Sequence, residues 1–242
     1  MTMRRGRRAG LAAWLMAFAV LVLGGCAETD TAVGIDGMVR VFSSDPAHPV
    51  FGRASDWIEL GNTKTMHPTI AAGDGRLALE VNADGANGAA LRRLDAPLLA
   101  MPFLFWDWTV IDGAPEHPVR VVIGFADQPL APDSAFTRAF SPAAPPRFSR
   151  SVALVWGSSA LQRGSIETHA PDGEGRSHVR YVVRGGRENR GRWWSEHLDL
   201  SQIHAAAWPD VDMAQSHVVF AGISTAAGAK GTMLVAGLRL SR

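Results

Sequence analysis

The sequence predicts an all-β protein folded as a sandwich or a barrel, and three observations support that prediction. Short apolar or alternating runs recur at close spacing, separated by Gly, Pro, Asn and Asp. Turn signals such as Gly73-Asp74-Gly75 and Asp84-Gly85 lie between these runs. No long segment has helical periodicity, which disfavours an alternating strand–helix architecture. With 47% hydrophobic residues among 242, the chain can bury a substantial core.

The first 25 residues are typical of a signal peptide. Four arginines precede an apolar run over residues 9–23. This run is short for a membrane span, which needs about 20 apolar residues, but it suits a signal-peptide core. It ends in Leu23-Gly24-Gly25-Cys26, which resembles the lipobox of bacterial lipoproteins and predicts lipidation of Cys26, the only cysteine. A plain secretory signal or an uncleaved anchor is the alternative.

Processing before Cys26 predicts a membrane-tethered protein of the cell envelope. Ala27 stands where an inner-membrane lipoprotein often carries Asp, and this resemblance favours the outer membrane, facing the periplasm. Loss of residues 1–25 removes four Arg and no acidic residue, leaving 20 basic and 23 acidic residues, a formal charge of −3. Without a large basic surface the main electrostatic contribution to nucleic-acid affinity is missing, so nucleic acid is excluded as a partner.

The mature chain divides into a tether over residues 26–36 and a single folded domain over residues 37–242. Twelve candidate strands are predicted in the domain, at 39–42, 57–60, 77–81, 89–94, 103–111, 119–125, 151–156, 166–169, 179–183, 193–198, 218–224 and 232–240. One short helix is predicted over Leu200–Ala207, with Asp199 or Ser201 as its N-cap and Pro209 ending it.

Residues 126–150 differ from the rest of the domain. They contain five prolines with scattered Ser and Arg, and they lack alternation. A structureless loop of this length inside a compact domain is uncommon, and it tends to be functional or mobile. The alternative is a solvated loop that closes one end of the sandwich.

Four blocks of sequence, at 105–110, 119–125, 153–158 and 193–200, resemble in order a bacterial family of secreted proteins of unknown function, numbered 3047 among the domains of unknown function. The resemblance implies one extracytoplasmic antiparallel β-sandwich, jelly-roll-like and similar in outline to carbohydrate-binding jelly rolls, with no established activity. Two features depart from the family. Asp107 stands where a basic residue is usual, and the turn at 224–231 lacks the typical Asp and Asn.

Paired indoles are the first candidate for a binding surface. Trp106 and Trp108 lie on one face of their predicted strand because strand side chains alternate. Coplanar indoles dock sugar rings and other flat apolar groups, and Trp156, Trp193 and Trp194 could extend such a surface. The competing interpretation is core, since each buried Trp removes about 150–250 Å² from water. The sequence leaves both interpretations open.

Carboxylates near these indoles are the second candidate. Trp194 and Glu196 share one strand face, and a Trp beside a Glu is a common sugar contact because the ring stacks while the carboxylate accepts from hydroxyls. The same pattern is typical of an ordinary exposed face. Asp107 points away from the paired Trp. If its face is inward, Arg120 is its expected partner, since an unpaired buried carboxylate is costly.

Motifs for metal, cofactor and nucleophilic chemistry are not found. The eight His residues lack HExxH or His-x-His spacing, so neither a metal nor a cofactor is predicted. No G-x-S-x-G sequence is present. The leading hypothesis is non-catalytic binding of a glycan or another envelope component, on a Trp-bearing face or under the 126–150 loop. The alternatives are a structural role in an envelope protein assembly and a polysaccharide hydrolase, which needs two carboxylates about 5–10 Å apart.

Overall fold

The computed structural model describes residues 36–45, 57–71, 75–129 and 146–242. The predicted signal peptide, Cys26, nearly all of the predicted tether and residues 130–145 of the Pro-rich loop lie outside the described residues. All described residues belong to one compact unit, Val33–Arg242.

Thirteen strands and one α-helix make up the regular structure of the described residues. The strands are β1 Met38–Arg40, β2 Trp57–Gly61, β3 Met66–Ile70, β4 Leu77–Asp84, β5 Gly88–Pro97, β6 Phe103–Gly113, β7 Val119–Ala126, β8 Arg150–Gly157, β9 Ile166–Thr168, β10 Ser177–Gly185, β11 Trp194–Asp199, β12 His217–Thr225 and β13 Lys230–Ser241. The helix is α1, Leu200–Ala207, and short 3-10 helices form at Ala160–Gln162, Arg187–Asn189 and Met213–Gln215.

The strands form two sheets packed as a sandwich. Sheet A has the order β11-β6-β13-β4-β3, with β1 also paired to β13, and sheet B has the order β2-β5-β12-β7-β8-β10-β9. The predicted all-β sandwich with one short helix is confirmed. One pair departs from the antiparallel expectation, because β8 and β10 are parallel. The intervening β9 runs back along the far side of β10, so β10 starts at the same end as β8.

Each of the twelve predicted runs overlaps a strand, and one further strand, β3, was not predicted. β3 carries Pro68 and reads as a turn in the sequence, because proline cannot donate to a β-ladder. It lies at the edge of sheet A, with β4 as its only described neighbour. At an edge the missing N–H costs no hydrogen bond of the sheet, which is why proline is tolerated there.

The core fills the space between the two sheets, and β6 illustrates how alternation builds it. Leu104, Trp106, Trp108 and Val110 point inward and are at most 1% exposed. They pack with inward side chains of sheet B in one continuous cluster. The residues between them point outward from sheet A, where Phe105 and Asp107 are half-buried and Thr109 is 4% exposed.

Helix α1 follows β11 and closes part of one open side of the sandwich. Asp199 caps it, as predicted, by accepting from the backbone N–H groups of Ser201 and Gln202. Ile203 is 5% exposed and belongs to the core cluster. Past the helix, the indole Nε1 of Trp208 donates to Ser177 Oγ at 2.8 Å. This contact ties the end of the helix to the first residue of β10 in sheet B.

Two buried histidines predict a pH-dependent stability. Burial lowers the pKa of His117 and of His204 from 6.5 to about 4 in each case. The unfolded chain therefore binds more protons than the folded one between these values. We expect the free energy of unfolding to be greatest above pH 6.5 and to fall as the pH drops toward 4. Urea unfolding at pH 7, 5.5 and 4 measures this, and His204→Gln should flatten the slope. If the free energy of unfolding of the wild type does not change between pH 7 and pH 4, the expectation is contradicted.

Candidate ligand-binding site

A cleft opens along the side of the sandwich where β11 ends sheet A and β9 ends sheet B. Its volume is about 520 Å³, within the range of about 300–1,000 Å³ typical of small-ligand sites. We call it the edge cleft and define it by its lining residues: Phe103, Ile166, Tyr181, His197, Leu198, Asp199, Gln202, Ile203 and Ala206. Both sheets and helix α1 contribute to it, so only the complete sandwich forms this site.

One wall of the edge cleft is apolar. Tyr181 of β10 lies opposite Ile166 of β9 in the antiparallel register. Leu198 and Ile203 complete this wall from β11 and α1. Tyr181, Ile166 and Leu198 also pack against the core, which holds them in place. Tyr181 is the only tyrosine in the chain, and its ring combines an apolar face with a hydroxyl that can donate or accept.

The other wall is aromatic and polar. His197 of β11 lies opposite Phe105 of β6, and their rings stack with centroids 4.3 Å apart and planes 9° apart. Phe103 meets the same imidazole edge-on at 5.3 Å. These two contacts fix the orientation of the exposed His197 ring at the cleft. Both nitrogens of that ring are free of hydrogen-bond partners among the described residues, so either can bind a ligand hydroxyl.

Asp199 is the carboxylate of the edge cleft, and the helix already uses it. Burial alone raises the pKa of Asp199, but hydrogen bonds from Ser201 and Gln202 outweigh that effect and lower it. Oδ1 accepts from the Ser201 N–H at 2.9 Å, and Oδ2 accepts from Gln202 Nε2 at 3.0 Å. The carboxylate is therefore a fixed, ionised acceptor that also caps α1.

The free edge of β11 adds backbone groups to the cleft. The Leu200 N–H donates to the Pro102 carbonyl at 2.8 Å, and it continues the register in which β11 pairs with β6. Because the backbone groups of alternate residues in an antiparallel strand point opposite ways, the N–H and C=O groups of Ser195 and His197 face away from β6. The Asp199 N–H faces the same way, while its carbonyl belongs to the first turn of α1. No described strand pairs with β11 on that side. Donors and acceptors of the main chain therefore lie open along the edge.

Three of the predicted ligand-binding indoles lie in the core instead. Trp106 is 1% exposed, and Trp108 and Trp156 are 0% exposed. Trp108 contacts the other two rings edge-on, with centroids 5.4 Å and 5.6 Å away. The core interpretation therefore holds, and the prediction that these indoles form a ligand surface is wrong. Trp106 and Trp108 point from sheet A toward sheet B, and Trp156 points from sheet B toward sheet A. Burying three indoles between the sheets removes a large apolar area from water.

Glu196 was predicted as a sugar contact and is a buried structural residue. It is 4% exposed. Its Oε1 accepts from the Trp108 indole at 3.0 Å and from Arg184 Nε at 2.6 Å. Arg184 lies on β10 and Glu196 on β11, so this ion pair joins sheet B to sheet A across the open side. The sugar-contact prediction fails because the face that carries Glu196 points inward.

The two remaining predicted indoles, Trp193 and Trp194, are half-buried and contact guanidinium groups. The Arg184 and Arg192 guanidiniums lie 3.6 Å and 4.0 Å from the Trp194 ring centroid. Arg76 lies 4.5 Å from the Trp193 ring centroid. Arginine thus occupies the positions in which a sugar ring would stack. Neither indole lines the edge cleft.

Asp107 faces outward from sheet A and does not pair with Arg120. The Ser195 hydroxyl donates to Asp107, and Arg76 Nη1 lies 3.4 Å from the same carboxylate. Arg120 is on β7, which belongs to sheet B. The pair was expected only for an inward-facing Asp107, and that condition is not met, because this face of β6 points away from sheet B.

Sequence reasoning missed the residues that line the edge cleft. Tyr181 carried one usable signal, as the only tyrosine and on a predicted strand. Gln202 and His197 carried none, since a glutamine on a helix and a histidine on a strand are both ordinary surface residues. These three residues meet only because α1 and β11 lie beside β9 and β10 at the edge of the other sheet.

Among the described residues, no three His, Cys, Asp or Glu side chains are placed to share a metal ion. In the same part of the chain, no helix combines the length and the apolar character needed to cross a bilayer.

The solved structures similar to this chain include carbohydrate-active enzymes and carbohydrate-binding modules. A family 12 xyloglucanase from Bacillus licheniformis in complex with ligand has a TM-score of 0.47 and 11% identity, covering 82% of this chain and 98% of its own. Endoglucanase 3 of Trichoderma harzianum, from family GH12, has a TM-score of 0.42 and 9% identity. The match covers 89% of this chain and 99% of the endoglucanase. The family 11 carbohydrate-binding module from Clostridium thermocellum, in complex with a β-1,3-1,4-mixed-linked tetrasaccharide, has a TM-score of 0.39 and 9% identity. The match covers 79% of this chain and 91% of the module.

These likenesses are too distant for any residue or activity to be carried over, and the fold described above rests on the two sheets of this chain. No protein-family model matches the sequence, and no curated protein does. The resemblance to the family of unknown function numbered 3047 stays a prediction.

Proposed function

We propose that the protein is an envelope lipoprotein, tethered to the outer membrane through Cys26 and facing the periplasm, that binds a glycan in the edge cleft without catalysis. In this proposal the chain belongs to the family of unknown function numbered 3047. The folded domain presents the cleft to the periplasm, and the tether keeps it near the membrane.

The observation that supports this function is the mixed lining of the edge cleft. A sugar presents apolar C–H faces and hydroxyl groups together, so its site needs both apolar rings and hydrogen-bonding groups. Tyr181 and Phe103 supply rings. His197 and Gln202 supply polar side chains, and the free edge of β11 supplies backbone donors and acceptors.

Binding is favoured over hydrolysis by the carboxylates. Glycoside hydrolysis requires two carboxyl groups on either side of the scissile bond. Asp199 is the only carboxylate among the residues that line the cleft, and hydrogen bonds from α1 occupy both of its oxygens. Glu196, the nearest carboxylate in sequence, is buried in the ion pair with Arg184.

Calorimetric titration of the chain from Ala27 to Arg242 with a panel of envelope glycans tests the proposal. This chain retains the compact unit and both sheets. We expect saturable binding of at least one glycan without turnover of it. Gln202→Ala and His197→Ala should each weaken binding about three- to tenfold, the value of one or two hydrogen bonds.

Gln215→Ala is the matched control, because Gln215 is also exposed but does not line the cleft. Equal affinities of all three variants and the wild type would exclude the edge cleft as the site. Release of reducing ends from the glycan would show that the protein hydrolyses it, and the proposal of binding without catalysis would then be wrong. The anchor is tested separately in cells, where Cys26→Ser should move the protein from the membrane fraction to the soluble periplasm.

A further inference from the structure

Two neighbouring loops at one end of the sandwich carry a concentrated positive charge. They are residues 158–165, between β8 and β9, and residues 186–193, between β10 and β11. Together they contain four arginines, at 163, 187, 190 and 192, against one acidic residue, Glu188. The loops are joined, since the Gly186 N–H donates to the Gly157 carbonyl at 3.2 Å. A net-negative mature chain therefore has a local basic surface, which we call the basic end.

The arginines of the basic end have no carboxylate partners. Arg163, Arg187 and Arg192 are exposed, and no ion pair to them is formed within the described residues. Arg190 donates to the carbonyls of Gly113 and Ala114 at 2.9 Å and 2.5 Å, which fixes its position. Arg163 and Arg187 thus remain free to contact an anionic group, while Arg192 lies over the Trp194 ring and Arg190 is bound to loop carbonyls.

An exposed leucine stands among these arginines. Leu161 is 96% exposed. It is part of the 3-10 helix Ala160–Gln162, whose start is closed by a reciprocal capping box between Ser159 and Gln162. The cap holds the leucine in position, so its side chain stays in water in the free protein. A single exposed apolar residue is common on proteins, but here it is fixed and flanked by unpaired arginines.

We propose that the basic end binds the surface of a bilayer that contains anionic phospholipid. Arg163 and Arg187 would contact headgroup phosphates, and Leu161 would enter the interfacial region. Guanidiniums around an apolar side chain are the pattern of interfacial membrane binding. A soluble polyanion would use the arginines but provide no apolar environment for the leucine. Arginine also recognises phosphate by paired hydrogen bonds.

The basic end is independent of the predicted lipid anchor. The chain enters the domain at β1, which pairs with the last residues of β13. The basic end lies near the start of β13, where the Ala114 N–H donates to the Lys230 carbonyl at 3.2 Å. β13 has 12 residues, so the point where the chain enters the domain and the basic end lie about 40 Å apart. The surface can therefore contact a bilayer without help from Cys26, and the edge cleft takes no part in that contact.

Cosedimentation with vesicles tests this inference, using the chain from Ala27 to Arg242, which lacks the lipidated cysteine. Vesicles of equal parts phosphatidylglycerol and phosphatidylcholine should pellet the protein, while pure phosphatidylcholine vesicles should not. Arg163→Glu/Arg187→Glu should reduce the partition coefficient by at least about twentyfold, since each basic residue contributes about fivefold. Leu161→Gln should reduce it by about tenfold. Raising the salt from about 50 mM to about 500 mM should weaken binding of the wild type.

The matched control is Arg147→Glu/Arg242→Glu, which changes the net charge equally at two exposed arginines outside the basic end. It should keep most of the binding, and Leu99→Gln, at an exposed leucine in the β5–β6 turn, should match the wild type. Failure of the wild type to pellet with anionic vesicles, or an equal loss in both charge variants, would overturn the proposal. Glycan calorimetry is unaffected by either result.

Discussion

Glu196→Gln should lower the free energy of unfolding by about 3–5 kcal/mol, the cost of removing one partner from a buried ion pair. The carboxylate side chain is 2% exposed and that of Arg184 is 11% exposed. Glutamine keeps an acceptor for the Trp108 indole but leaves the Arg184 charge unpaired between the two sheets. Urea unfolding followed by far-ultraviolet circular dichroism measures the loss.

Asp107→Asn is the matched control for Glu196→Gln. Asp107 also pairs with an arginine and lies one strand away, but its side chain is 23% exposed and that of Arg76 is 31% exposed. Solvent screens such a pair, so we expect a change of about 1 kcal/mol or less. If the two substitutions cost the same, Glu196 and Arg184 do not join the sheets as described.

Trp156→Ala should destabilise the protein by about 3–5 kcal/mol, the usual cost of deleting a large aromatic side chain from a core. Trp156 is 0% exposed and packs edge-on against Trp108. Its Nε1 has no hydrogen-bond partner in the described structure. Trp156→Phe should therefore cost much less than Trp156→Ala, because it keeps the ring contact and leaves no partner unpaired.

Trp193→Ala provides the comparison at the surface. The Trp193 ring is half-buried under Arg76, so its loss should cost about 1 kcal/mol. The same unfolding experiment applies to all three variants. A Trp156→Ala protein as stable as Trp193→Ala would contradict the placement of Trp156 in the core.

The strands were readable from the sequence because each follows its own local pattern. Short apolar or alternating runs mark every strand except β3, which contains Pro68. Helix α1 was equally local, since Asp199, the apolar spacing and Pro209 all lie within a few residues. The sequence also placed Trp194 and Glu196 on a common face, which the structure confirms.

The sequence does not show which face of a strand points into the core. Both faces of β6 are aromatic, with Phe103 and Phe105 on one and Trp106 and Trp108 on the other. Alternation separates the two faces but does not say which one meets the second sheet. The structure places the larger indoles inside and the phenylalanines outside, where they hold His197 at the cleft.

The edge cleft depends on contacts that no local pattern encodes. Ile166 and Tyr181 come from sheet B, whereas His197 and Gln202 follow β10 in the chain and lie on the sheet A side. They meet because the β10–β11 connection carries the chain from one sheet to the other. The Arg184–Glu196 pair also joins these two elements, although neither residue lines the cleft.

The most direct test of a glycan site in the edge cleft uses its one tyrosine. Because Tyr181 is the only tyrosine in the chain, incorporation of 3-fluorotyrosine places a single fluorine in the cleft wall. We predict a saturable shift of that one fluorine resonance during titration with a glycan that binds by calorimetry, with the same dissociation constant. A resonance that does not move while calorimetry reaches saturation would contradict the account and place the ligand elsewhere on the protein.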